Sequence, residues 1–154
     1  MTFGANSKIF TAQFENMIEN TVAYDVDSDQ VYVALYGDTP TPSQTVTLAN
    51  TVYNVDQWVT TSEKYDAAEW PQAGQELDNK TSGFTSNVYK FDADDEQSTG
   101  TSATLSDVRG CLIYDNTLAT KYGYCFLSFG GGNSVTDGTF TVRFNASGIM
   151  QYTL

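Results

Sequence analysis

Apolar residues recur along this chain at two spacings. Near the start, Ile9, Phe10, Phe14, Met17 and Ile18 return every three or four positions, the period of a helix with one apolar stripe. With Ser7 or Asn6 as cap, the spacing predicts a short helix over about Lys8–Asn20. A helix this short is marginal in isolation, so the other reading of residues 1–20 is an arm that orders against a neighbouring subunit. Beyond it the period falls towards two. Asp25–Asp29 reads as a turn, Gln30–Tyr36 as a strong strand broken by Pro40 and Pro42, and Thr45–Val55 as a further candidate strand. From Asp56 to Gln75 the pattern dissolves into mixed polar residues, two Trp and a Pro. That segment, 56–75, is expected to be a long surface loop of the kind that carries function. Leu77–Thr81 and Val88–Phe91 read as strands, and Asp92–Asp107, acidic and rich in Ser and Thr, as an exposed, mobile connection.

From Arg109 onward, runs of aromatic and β-branched residues alternate with Gly, Asn and Asp, which is how successive antiparallel strands read. The expected pairings are 111–115 with 122–129, and 122–129 with 137–145. The length of 154 residues fits one domain, 1–154, able to bury a core without staples. Aromatics reach 14%, and with abundant Thr and Val they lean the composition to all-β. The expected fold is an antiparallel β-sandwich or barrel with a short N-terminal helix.

Charge and chemistry narrow the function. The formal net charge is −12, which repels phosphate backbones and argues against nucleic-acid binding. No stretch approaches the roughly 18 apolar residues of a membrane span, and Met1–Lys8 does not read as a secretion signal. The chain has no His, so the commonest general base and metal ligand is missing. Asp25, Asp27 and Asp29 alternate like the start of a calcium loop, but Gln30 and Tyr36 stand where its Gly and Glu belong. Asp92–Glu96 reads as a solvated cluster, and Gly130–Asn133 as a turn or bulge, since no Lys-Ser/Thr and no helix follow it. Hairpin register places Cys111 opposite Leu127 and Cys125 opposite Ile113, too far apart for a disulfide, so both thiols are expected free and buried. No catalytic residue, cofactor or metal is expected.

Order and joint occurrence of several motifs resemble a family of small virion structural proteins of tailed bacteriophages. The motifs are Asp25-Val-Asp-Ser-Asp-Gln-Val-Tyr-Val-Ala-Leu35, Gly74–Thr81, Val88-Tyr-Lys-Phe-Asp-Ala-Asp-Asp95, and the C-terminal series Arg109 to Asp115, Phe129-Gly130 and Gly138 to Ile149. Glu96–Gly100 stands where the family commonly has a Trp. The resemblance implies a virion component, and the free thiols point to synthesis in a reducing host cytoplasm. The expected role is a decoration (cement) protein on the outer surface of the head, bound to the major capsid protein, as a homo-oligomer such as a trimer. A neck or tail component and a carbohydrate-binding module are the alternatives. Phe3, Ile9, Phe10, Trp58 and Trp70 lie outside the expected strands. Two readings of these five are open: contacts to neighbouring capsid subunits, or cover for the domain's own core.

Overall fold

The apolar run over Val31–Tyr36 forms the centre of the fold because both of its faces are covered. In a computed structural model, which describes residues 7–153, the elements follow in chain order: β1 (Lys8–Ile9), α1 (Thr11–Glu19), β2 (Val31–Tyr36), β3 (Glu63–Lys64), β4 (Gln75–Glu76), β5 (Thr81–Thr85), β6 (Val88–Asp92), β7 (Glu96–Gln97), β8 (Ala103–Asp115), β9 (Gly123–Gly138), β10 (Thr141–Val142) and β11 (Met150–Thr153). Strand accounts for 41% and helix for 13%, far from the third of helix usual in globular domains. The main sheet has the order β1-β9-β8-β2-β3, with β4 also paired to β2; β11-β6-β5 make a second sheet and β10-β7 a third. All pairings are antiparallel, and the fold is an all-β sandwich with one short helix.

Strand periodicity sorts the core into two layers. Val31, Val33, Leu35, Cys111, Ile113 and Cys125 point to one side of the main sheet, where Phe91, Met150, Leu77 and Trp70 cover them. Ala34, Tyr36, Leu112, Tyr114 and Phe126 point to the other, under Phe10, Tyr53 and Trp58. A strand buried on both faces needs apolar residues at nearly every position, which is why 31–36 does not alternate.

The β8–β9 hairpin has the expected register, Cys111 opposite Leu127 and Ile113 opposite Cys125, and both thiols are free and buried. Gly130–Asn133 lies in a bulge within β9: Val108 faces Asn133 while Gly110 faces Ser128, and Gly130 takes a φ of 75° that a side chain would resist. The second expected pairing does not form. The outer edge of 122–129 is taken by β1, with Lys8 opposite Phe126, and Thr141–Val142 pairs instead with β7.

Three further expectations are corrected. The helix begins at Thr11, with Phe10 at its cap and no side-chain cap bond; Ser7 instead accepts the Ser128 N–H at 3.0 Å, and Asn6 lies outside the described residues. Residues 45–55 hold a 3-10 turn, Leu48–Thr51, rather than a strand. The acidic connection is built in: Glu96 and Ser98 are buried, Glu96 accepts the Asp78 N–H at 2.9 Å and Asp95 the Phe144 N–H at 2.9 Å, and β8 already starts at Ala103.

The segment over 56–75 is not an outlying loop. It folds back along β2, contributing β3 and β4 to its edge. Tyr36 donates its hydroxyl to the Trp58 carbonyl at 2.7 Å, and Tyr114 donates to the Ala73 carbonyl at 2.7 Å. Glu63, 6% exposed, accepts from the Tyr53 hydroxyl at 2.8 Å and the Ala73 N–H at 2.7 Å. Burial pushes its carboxyl up to about 7, against the pull of those two donors.

Candidate functional site

The described residues that sequence reasoning singled out as contact anchors are mostly interior. Phe10, Trp58 and Trp70 are fully buried. Trp58 meets Tyr36 edge-on at 5.2 Å and Phe10 at 6.1 Å; Trp70 meets Phe140 at 5.9 Å. Of the two readings, these three rings take the second: they close the domain's own core, because local turns such as the Asp66–Trp70 bridge swing them inward. Ile9 packs, partly buried, against the main core. Phe3 lies outside the described residues.

The exposed apolar surface is elsewhere, and α1 creates it. The helix buries Ala12, Gln13 and Asn16, so its polar side faces the protein. The Gln13 amide donates to the Gly123 carbonyl. The Asn16 amide donates to the Val22 carbonyl at 2.9 Å, and its oxygen accepts from the Val22 N–H at 2.6 Å and the Thr21 hydroxyl at 2.9 Å. Asn20, left-handed at φ 52°, ends the helix. These bonds fix the rotation of the helix and turn its apolar stripe outward: Phe14 is 45%, Met17 62% and Ile18 85% exposed.

Opposite that stripe stands the second sheet. Ring contacts run from the helix to its far hairpin: Phe14 to Tyr152 at 4.5 Å, Tyr152 to Tyr89 at 5.9 Å, and Tyr89 to Phe84 at 5.3 Å. Between the walls lies an open groove of about 410 Å³ whose base includes Gln13, Tyr24, Val26 and Tyr124. Tyr124 reaches it because β9 advances two residues between Gly123 and Cys125 while β8 advances one, a bulge that re-aims the ring.

The groove is apolar on its walls and polar at its base. The Gln13 Oε1, Tyr24 hydroxyl and Tyr124 hydroxyl are buried without a hydrogen-bond partner among the described residues. Gln13 is the side-chain neighbour of Tyr24, and Asp115 that of Tyr124. Burial pushes Tyr24 up to about 12 and raises Tyr124 further, with Asp115 and Asp29 adding to the effect on Tyr124. No lining residue carries a charge. Exposed acids adjoin its lining residues in the sequence: Glu15 and Glu19 on α1, and Asp25 and Asp27 on either side of Val26.

The other acidic candidates serve structure. Asp29 accepts the Asp25 N–H at 2.8 Å, Asp25 the Ser28 N–H at 3.2 Å, and Asp27 the Ser82 hydroxyl at 2.8 Å. Among the described residues no group of three His, Cys, Asp or Glu is disposed to hold a metal, and no helix is long and apolar enough to cross a membrane. The sequence period places Phe14, Met17 and Ile18 on one apolar stripe with Ile9 and Phe10, and it does not separate the residues that face the groove from those that face the core. The signal against that reading was Asn16 within the stripe's turn, a residue that favours bonding to nearby backbone over presenting an inert polar face. No family model, curated protein or solved structure matches the chain.

Proposed function

We propose that this chain is a capsid decoration (cement) protein that binds the outer surface of an assembled phage head and stabilises it. The observation that carries the reading is the outward apolar stripe of α1 facing the aromatic wall of the second sheet. A continuous apolar surface of this kind on an acidic, β-rich body is a docking surface for another protein. The net charge of −12 suits a protein displayed in many copies, since like-charged copies stay soluble and apart until the shell holds them. The phage-family resemblance of the strand and turn motifs supports the same reading, with the major capsid protein as partner and a trimer at local three-fold axes as the arrangement.

Mass spectrometry of purified virions with copy number tests it. Hundreds of copies support decoration; six or twelve place the protein in the neck. The tyrosines along the groove favour one second reading, a carbohydrate-binding module, because aromatic faces also stack on sugars. Absence from particles together with glycan binding would establish that alternative.

A further inference from the structure

We infer that the groove between α1 and the β5–β6–β11 sheet seats a cationic amphipathic segment of the partner protein, apolar residues inward and Lys or Arg side chains at its margins. The identity of the partner as a shell protein rests on the decoration reading; the chemistry of the occupant does not. The walls set the apolar half of the requirement. Phe14, Met17, Ile18 and Phe84 all stand 45% or more exposed, and a partner that covers them gains the transfer of that surface from water.

The surrounding charge sets the other half. Glu15 and Glu19 are exposed on the helix that forms one wall, and exposed Asp27 accepts the Ser82 hydroxyl at 2.8 Å on the face of β5 that also carries Phe84, so acids stand on both sides of an incoming cation. The bases of the adjoining strands do not neutralise them. Lys90 alternates with groove-lining Tyr89 and so projects from the opposite face, where it holds Asp92 at 2.6 Å and the Ala146 carbonyl at 3.0 Å. Lys80 is engaged by Glu76 at 3.1 Å and the Leu77 carbonyl at 3.2 Å. A second copy of this chain brings another twelve net negative charges and is a poor occupant; an anionic lipid surface is poorer.

The test uses the full chain and a fluorescently labelled amphipathic peptide of Leu and Lys at helical spacing, with a Leu and Glu peptide of the same spacing as control. Fluorescence anisotropy should show saturable binding of the Leu–Lys peptide that weakens with added salt, and none of the Leu–Glu peptide. The double variant Met17→Ser/Ile18→Ser should weaken binding by about tenfold or more. Glu15→Lys/Glu19→Lys should weaken it by roughly fivefold. All four side chains are exposed, so unchanged thermal unfolding serves as the control for folding. Equal binding of the Leu–Glu peptide, unchanged binding by both double variants, or wild-type dimerisation abolished by Met17→Ser/Ile18→Ser would each overturn the proposal. Purified particles separate its failure from that of the decoration reading. If wild type and Met17→Ser/Ile18→Ser attach to heads equally, decoration stands and the groove does not. If wild type binds the cationic peptide but never attaches to heads, the groove stands and decoration falls.

Discussion

The segment 56–75 and helix α1 invert each other. The first is polar in sequence, yet it delivers Trp58 and Trp70 to the interior at 0% exposure. The second is amphipathic in sequence, yet it presents its apolar stripe to solvent and buries Gln13 and Asn16. In both, a few directed hydrogen bonds decide the outcome against the average polarity of the segment. Tyr36 and Tyr114 hold the backbone of the first against β2 and β8; Asn16 and Gln13 hold the second by its polar side. Mean polarity says how much surface a segment must bury, and specific donors say which side.

The largest effect that would break this contrast is at the tryptophans. Trp58→Ala or Trp70→Ala should each cost about 3–5 kcal/mol by urea denaturation, the range for large buried aromatics. A loss under about 1 kcal/mol would mean that 56–75 is peripheral after all.

Next comes pH, acting on the same segment through Glu63. Its carboxyl is pushed by burial from an ordinary value near 4.5 to about 7 in the folded protein, so the folded state holds the proton more tightly than the unfolded chain. The stabilisation is therefore full below about pH 4.5 and is lost as pH rises through about 7, amounting to at most roughly 3 kcal/mol. Glu96 and Asp115, also raised by burial, add slope of the same sign. Glu63→Gln should flatten part of the decline in melting temperature between pH 5 and 8. An unaltered profile in that variant would assign the pH dependence to the other two acids.

On the helix the decisive residue is Asn16. Asn16→Ala removes three bonds to residues 21 and 22 and should cost about 1–3 kcal/mol, with faster amide exchange in α1 and no change in β8. The smallest effect belongs to the stripe itself. Ile18→Ser should alter stability by less than about 0.5 kcal/mol, as exposed positions do. A loss of 2 kcal/mol or more there would show the stripe buried and the contrast false.

What was legible in the sequence follows the same division. Strands 31–36 and 88–92, the β8–β9 register down to Cys111 opposite Leu127, and the buried thiols all rest on local alternation and a short connection. The pairing of Lys8 with Phe126, of Val142 with Glu96 and of Leu35 with Lys64 depends on distant partners that no local period encodes. The groove was illegible for that reason. Its walls come from residues 14–18, 84–89 and 150–152, each of which reads separately as ordinary core or strand. Its base depends on a bulge at Tyr124 that shows only once the two strands are paired.

The placement of β1 also governs the order in which the molecule can assemble. Ile9 pairs with Cys125, and the Phe10 N–H reaches the Tyr124 carbonyl at 3.1 Å, so residues 9 and 10 wait for partners that are made much later along the chain. Closing so long a stretch of chain is entropically expensive before any contact rewards it, and topologies of this kind fold in milliseconds to seconds rather than microseconds. The hairpin β8–β9, joined by the short connection 116–122, should form before the N-terminal segment docks onto its edge. Until then Phe10 is bare alongside Phe14, Met17 and Ile18. Before that docking the exposed apolar surface is larger than in the folded protein, and refolding yield should fall steeply with concentration.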